Sequence, residues 1–131
     1  MTASLDASDL RVLADRLRTR HRELRAAIRD QFSDPDDPEH MALRNRLEDT
    51  DDWAVADTMQ GFDIAMVARD VAEMGEVERA LKRLADASYG RCVDCDETIP
   101  SARLHAYPSA ARCIRCQEAV ERRAAQTGNA V

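Results

Sequence analysis

The chain of 131 residues is long enough for one compact domain, or for a small globule with an elongated attachment. Aromatic residues make up only 4% of it and glycine is scarce, so the composition disfavours sheets and favours long helices. The formal net charge of −6 disfavours autonomous DNA binding, since a protein that holds phosphates normally presents a basic face. The amino terminus has no signal-like region and no run could span a bilayer, which predicts a soluble, cytoplasmic protein without a membrane partner.

The first amphipathic segment begins near Ser8. Its apolar residues recur at intervals of three, four and seven: Leu10, Leu13, Leu17, Leu24, Ile28 and Phe32. This spacing predicts a helix with a narrow apolar stripe, as in a two-helix coiled coil. Pro35 and Pro38 interrupt the pattern, and Asp37 is placed to cap a short helix over residues 38–48.

A second long helix is predicted from Trp53 to Ala87. Its stripe consists of Ile64, Val67, Val71, Met74, Val77, Leu81 and Leu84. A chain reversal near residue 34 would give arms of very unequal length, whereas a reversal in the polar cluster near residue 50 gives arms of about 43 and about 37 residues. We therefore expect a hairpin that turns near residue 50 and is about 55 Å long.

The four cysteines form two Cys-x-x-Cys pairs, Cys92 with Cys95 and Cys113 with Cys116. Each pair can place both sulfurs on one side of a tight turn, and two pairs complete a tetrahedral shell for one structural Zn²⁺. A thioredoxin-like dithiol would need a βαβ pattern, which the sequence lacks. A thiol redox sensor with labile zinc stays open as an alternative.

A family resemblance appears around these cysteines. From Tyr89-Gly90-x-Cys92-x-x-Cys95, through Arg103-Leu104-x-Ala106-x-Pro108, to Cys113-x-x-Cys116, the sequence resembles the DksA/TraR family of bacterial transcription regulators. Members carry an Asp-x-x-Asp-x-Ala motif at the end of the coiled coil, which stands here as Asp49, Asp52 and Ala54. The resemblance covers residues 45–123.

The pattern and the resemblance together predict an all-α protein. We expect a long antiparallel helical hairpin (a coiled coil) over residues 6–87, with an acidic tip near 49–54. A four-cysteine zinc finger and a C-terminal helix over residues 88–126 follow it.

The resemblance implies a monomeric protein that binds bacterial RNA polymerase directly. It would insert the coiled-coil tip into the secondary channel and modulate promoter complexes without reading a DNA sequence. Asp49 and Asp52 would be the effector carboxylates, and Ala54 would permit close approach. The alternative is a zinc-finger coiled-coil adaptor for another protein. No nucleophile–base pair or open metal position is recognisable, so no enzymatic activity is predicted.

Family members that respond to guanosine tetraphosphate, the nucleotide of the stringent response, use basic residues on the second helix and around the finger. At the positions that we judge to correspond, this chain carries Glu76, Tyr107 and Gln117. None of the three offers a cation to a phosphate. We therefore expect no potentiation by this nucleotide at the shared surface.

Overall fold

The computed structural model describes residues 5–49, 55–59 and 61–128, without the side chain of Asp49. Within these ranges the helices are α1 (Ala7–Gln31), α2 (Pro38–Asp49), α3 (Val55–Thr58), α4 (Ala68–Ala85), α5 (Ser101–Ala106) and α6 (Ile114–Gly128), with a 3₁₀ turn at Ala65–Val67 before α4. The same ranges contain no strand, only one antiparallel bridge between Arg91 and Thr98. The all-α fold class is confirmed. None of the described helices is both long and apolar enough to cross a membrane.

Helix α1 begins at a capping box. The Asp9 amide donates to Asp6 Oδ1 (2.8 Å) and the Asp6 amide donates to Asp9 Oδ2 (3.2 Å), which satisfies two amides that the helix itself leaves unpaired. The predicted stripe is buried along the helix, at Leu13, Leu17, Leu24 and Ile28. The helix starts within a residue of its predicted position.

Helices α1 and α4 form an antiparallel pair, which is the most extensive helix contact of the described structure. The start of α1 and the end of α4 both lie at the cysteine-rich end, where Leu13 and Tyr89 pack in one cluster. Midway along the pair, the Arg20 guanidinium makes two hydrogen bonds to the Glu73 carboxylate (2.5 and 2.7 Å). The interior of the pair is filled by the predicted stripe residues of α4, among them Met74, Val77 and Leu81.

The predicted antiparallel hairpin with its finger and terminal helix is confirmed. Its first reversal, however, lies at residues 33–37 and not near residue 50, so its first arm is shorter than predicted. The Asp37 amide donates to the Asp34 carbonyl (3.2 Å), and helix α2 then runs back along α1. The Phe32 and His40 rings meet edge to face at 5.1 Å, and the Arg25 guanidinium donates to the Leu47 carbonyl. With 25 residues, α1 is about 37 Å long, well short of the predicted 55 Å.

The predicted continuous helix from Trp53 to Ala87 is also wrong, because it is interrupted before α4. Gly61 has φ +90°, a left-handed conformation that ends helical propagation and suits glycine. The Asp63 amide donates to Glu39 Oε1 (3.0 Å), which ties this interruption to the start of α2. Only the part of the stripe from Val71 onward belongs to a long helix, α4, since Val67 lies in the 3₁₀ turn before it.

Candidate metal centre and the surfaces around it

The first cysteine pair lies on a tight loop between α4 and α5. The Cys92 amide donates to the Glu97 carbonyl (2.8 Å), and the Ile99 amide donates to the Gly90 carbonyl (2.8 Å), so residues 90–99 fold back on themselves. Gly90 has φ +91°, and a Cβ there would lie 3.3 Å from Leu5 Cδ1. Glycine therefore serves both the left-handed backbone and the close approach.

The second pair lies at the start of α6. Cys113 directly precedes the helix, Cys116 lies in its first turn, and the Gln117 amide donates to the Cys113 carbonyl (2.9 Å). The partial positive charge at a helix amino terminus favours thiolates at these positions. The Val93 amide donates to the Ala111 carbonyl (2.9 Å), which holds the two cysteine loops together.

The four sulfurs converge on one point. The Sγ atoms of Cys92, Cys95, Cys113 and Cys116 all lie within 4.8 Å of one another, and the Cys95 and Cys113 sulfurs are 3.8 Å apart. A tetrahedral zinc site with Zn–S bonds of about 2.3 Å requires sulfur–sulfur distances of about 3.8 Å. The predicted single structural Zn²⁺ is confirmed for this cluster. Four thiolates fill its coordination shell, so the site has no open position for a substrate.

The close packing of the thiols shifts the pKa of Cys92 and that of Cys116 in opposite directions. Burial alone would raise the pKa of Cys92, but hydrogen bonds from the backbone of Cys95, Cys113 and Asp94 outweigh it and lower that pKa to about 6. Hydrogen bonds with the Cys113 and Cys92 thiols raise the pKa of Cys116 to about 12. The Cys116 thiol is thus hard to ionise by itself, and a bound divalent cation would favour its thiolate form.

The metal centre is packed directly against α1. Leu13 is fully buried in a cluster with Cys92, Ile99, Leu104 and Ala110. On the surface of the same contact, the Arg16 guanidinium donates to the His105 carbonyl (2.6 Å), and the His105 ring shares a hydrogen bond with Asp9 (3.0 Å). The finger therefore determines where the helix pair begins.

Glu76 and Tyr107 lie beside the finger, and Gln117 lies on α6. These are the three residues that we expect at the positions of the nucleotide-binding cations of relatives. The Tyr107 hydroxyl donates to Glu76 Oε2 (2.6 Å), while the Gln117 side chain donates to Glu121 Oε1 (3.1 Å). Tyr107 also lines a groove of about 490 Å³ between α1 and α4, together with Arg16, Arg20 and Glu73. The structure brings Glu76 and Tyr107 together and leaves Gln117 on α6.

The acidic motif is placed only in part. Asp49 is the last residue of α2, but its side chain and the whole of Asp52 and Ala54 lie outside the described residues. The nearest described contacts on either side are the Leu47 carbonyl with Arg25 and the Val55 amide with Glu78. The effector role of the motif therefore stays a prediction.

Sequence reasoning missed a buried polar pair midway along the helices. His21 (3% exposed) and Glu78 (7% exposed) share a hydrogen bond of 2.9 Å between Nε2 and Oε2, across a sequence separation of 57 residues. Both residues occupy stripe positions, since His21 falls between Leu17 and Leu24 at helical spacing, and Glu78 falls between Met74 and Leu81. A polar residue within an apolar stripe is the signal that could have identified them.

The fold and the site define a class of protein: a helical protein whose antiparallel helix pair is joined to a four-cysteine zinc finger. The sequence model of the "Prokaryotic dksA/traR C4-type zinc finger" matches residues 87–122. The chain is 34% identical over 61 residues to an uncharacterized 8.5 kDa protein of Escherichia phage 186, covering 41% of this chain and 81% of that protein. This protein belongs to the DksA/TraR family.

Two further relatives carry functional names. The chain is 35% identical over 75 residues to the "RNA polymerase-binding transcription factor DksA" of Caulobacter vibrioides, covering 57% of this chain and 53% of that protein. The solved structure of transcription factor DksA2 from Pseudomonas aeruginosa matches with a TM-score of 0.59 and 27% identity, over 90% of this chain and 87% of that one. The chain thus spans about half the length of the Caulobacter relative.

Proposed function

We propose that this protein is a transcription regulator that binds bacterial RNA polymerase directly in the cytoplasm. It places the helical end of the molecule in the secondary channel of the polymerase and changes the lifetime of promoter complexes. The observation that carries this proposal is the structural likeness to DksA2 over 90% of the chain, which extends far beyond the finger at residues 87–122. The polymerase-binding activity in the name of the Caulobacter relative agrees with it.

The charge of the chain supports a protein partner and not a DNA site. The net charge is −6, and four zinc-bound thiolates with one Zn²⁺ add about two negative charges. Around the metal, cations such as Arg112 and Arg115 pair with Asp94 and Glu97, at 2.7 and 3.4 Å. Because these two arginines form ion pairs within the finger, their positive charge is partly neutralised there, which disfavours binding to nucleic-acid phosphates.

Asp49 and Asp52 are the residues that we propose to alter polymerase activity. Carboxylates brought near a magnesium-dependent active centre can contact basic residues there, or can change how metal and nucleotide are held. They carry out no bond chemistry themselves, and the protein acts as a regulator and not as an enzyme.

Multi-round transcription with purified bacterial RNA polymerase tests this function. We compare the wild type with the double variant Asp49→Asn and Asp52→Asn, and we measure binding separately by competition with a labelled wild-type protein. The variant should bind as the wild type does and should lose its effect on transcription. A matched control, Asp34→Asn with Asp36→Asn, removes the same charge from the turn between α1 and α2 and should keep the full effect.

Two results would contradict the proposal in different ways. Unchanged regulation by the Asp49 and Asp52 variant would exclude these carboxylates as effectors. Failure of the wild type to bind polymerase, combined with a tight complex with another protein, would select the adaptor function in its place.

A further inference from the structure

A buried guanidinium nitrogen beside the first cysteine loop has no hydrogen-bond partner. Arg83 lies in the last turn of α4 and is half-buried, and its Nη2 atom is buried without a partner among the described residues. A buried donor that loses its hydrogen bonds to water and gains none in return is costly, above all in a charged group. The attraction of a cation to the end of a helix accounts for the charge of Arg83 but not for this unpaired donor.

Arg83 lines a cavity of about 350 Å³ together with residues of the first cysteine loop, among them Ser88, Arg91, Asp94 and Asp96. Arg91 donates to the Asp96 carboxylate through Nη2 (3.0 Å). A guanidinium carries five N–H donors, so Arg91 can donate to a second group as well. Two guanidinium groups with unused donors therefore line the same cavity.

The backbone on which these two arginines stand is ordered on both sides of the cavity. The Ser88 and Tyr89 amides donate to the Arg83 carbonyl (2.9 and 3.2 Å). Arg91 in turn pairs with Thr98 in the antiparallel bridge. Because this backbone is already fixed, only the side chains lose freedom when a ligand binds, which lowers the entropic cost of binding.

The charges that line the cavity leave one cation over. Asp96 is paired with Arg91 (3.0 Å), and Asp94 is paired with Arg112 (2.7 Å), so both acids of the wall already have a cationic partner. The charge of Arg83 remains. A buried charge without a partner is strongly unfavourable, and one bound anion would compensate it.

The surroundings of Arg83 agree with an uncompensated charge. Burial lowers the pKa of Arg83, and the charges of Arg79 and Arg112 lower it too. Asp86 acts in the opposite direction, but its carboxylate accepts from the amide and the hydroxyl of Ser88 (3.1 and 2.6 Å). The nearest acid in the sequence is thus used for the turn after α4.

We propose that this cavity binds one carboxylate group, with the Arg83 guanidinium as the principal donor and Arg91 as the second donor. A planar guanidinium matches the two oxygens of a carboxylate, and a single negative charge balances the one cation that is left over. A phosphate dianion would bring a second negative charge towards Asp94 and Asp96, which disfavours it. The proposal concerns the free protein and does not depend on polymerase binding.

NMR of the zinc-bound protein, with the arginine Nε–H resonances observed directly, tests the site. Titration with sodium acetate should shift the Arg83 and Arg91 Nε–H resonances in a saturable way, with a Kd of about 1–10 mM, at an ionic strength held constant with sodium chloride. Arg83→Gln should weaken this binding at least tenfold. Arg122→Gln removes the same charge from the exposed surface of α6 and should leave the Kd unchanged.

Arg83→Lys supplies a second variant for the case that Arg83→Gln does not fold. It keeps the charge and loses the planar pair of donors, so it should weaken acetate binding at least threefold. An unchanged Kd in Arg83→Lys would overturn the role of the guanidinium.

A pair of short peptides identifies the source of the carboxylate. The blocked tripeptide Gly-Glu-Gly is compared with its matched control, Gly-Gln-Gly, which should not bind. A Kd of the glutamate peptide at least tenfold below that of acetate assigns the site to an acidic side chain of a protein partner. A smaller difference assigns it to free small carboxylates.

Three results would overturn the carboxylate site. The absence of a saturable shift in the wild type would mean that water, and not an anion, satisfies Arg83 Nη2. Equal shifts in Arg83→Gln and in the wild type would mean general screening of charge. Tighter binding of sodium phosphate than of acetate at pH 8, where phosphate is a dianion, would mean that the cavity selects a different anion.

Discussion

The Tyr107 hydroxyl donates a hydrogen bond to Glu76 Oε2 across 2.6 Å, and this contact joins the loop before the second cysteine pair to α4. Burial raises the pKa of Tyr107, and the Glu76 carboxylate beside it raises that pKa further. The phenol therefore stays protonated at neutral pH and satisfies the carboxylate. The surface where relatives are expected to hold a nucleotide presents a neutral donor and an acid in this protein.

Guanosine tetraphosphate should leave the regulatory effect of the wild type unchanged within twofold. A phosphate group placed against Glu76 would meet a like charge, with no cation from Tyr107 to offset it. Multi-round transcription with and without the nucleotide measures this, and polymerase with nucleotide alone supplies the baseline. The variant carrying Glu76→Lys and Tyr107→Lys should gain a response. Strong potentiation of the wild type would contradict our interpretation of this surface.

Cys113→Ser should abolish stoichiometric zinc binding and lower the Tm by more than about 10 °C, because the free energy of zinc binding is part of the folding free energy. Zinc release with a colorimetric chelator and thermal unfolding followed by circular dichroism measure the two effects. Ala111→Ser, two residues away, introduces the same hydroxyl outside the ligand set and should bind one zinc ion. A Cys113→Ser protein that kept its full Tm without metal would show that zinc has no structural role.

Leu13→Ala should lower the free energy of unfolding by about 2–5 kcal/mol, because Leu13 is fully buried between α1 and the finger. The neighbouring Val12 is 47% exposed, so Val12→Ala should change the free energy of unfolding by about 0.5 kcal/mol or less. Urea unfolding of both variants gives the comparison. Equal effects of the two substitutions would mean that the finger does not pack on α1 as described.

Tyr89 should ionise only at strongly alkaline pH. Burial raises its pKa from 10.0 to about 12, while its hydroxyl donates to the Pro108 carbonyl (2.8 Å). Because the folded pKa is the higher one, the stabilisation is complete below pH 10 and is lost as the pH rises towards 12.

The chain has two tyrosines, so the variant Tyr107→Phe retains only Tyr89. Phenolate absorbance of this variant then measures the titration of Tyr89. The titration midpoint should lie near 12 in the folded protein and near 10 in denaturant. A midpoint near 10 in the folded protein would contradict the buried contact with Pro108.

The metal centre was predictable because its information is local. Two cysteines three positions apart share a turn whatever the rest of the chain does, and two such pairs specify one tetrahedral site. All four ligands were identified in this way, and the finger then indicated the family. The apolar faces of α1 and α4 were equally predictable, because the helical period of the apolar residues determines which face is buried.

The path of the chain between these helices was not predictable in the same way. Helical period identifies a buried face but not its partner, so the stripes of α1 and α2 were compatible both with one long arm and with two helices folded back at residues 33–37. The comparison of arm lengths favoured a reversal near residue 50. The chain instead reverses where Pro35 and Pro38 interrupt the helical pattern.

The amino-acid sequence by itself determined the zinc ligands, the all-α class and the faces of the long helices, since each depends on neighbours within a few turns. Only the tertiary structure decided where the chain reverses and how α3 is held. The reason is physical: Glu78 caps α3 from another helix, and its contact with His21 joins residues 57 positions apart. No local pattern specifies a hydrogen bond over that distance, because it forms only after the helices have packed.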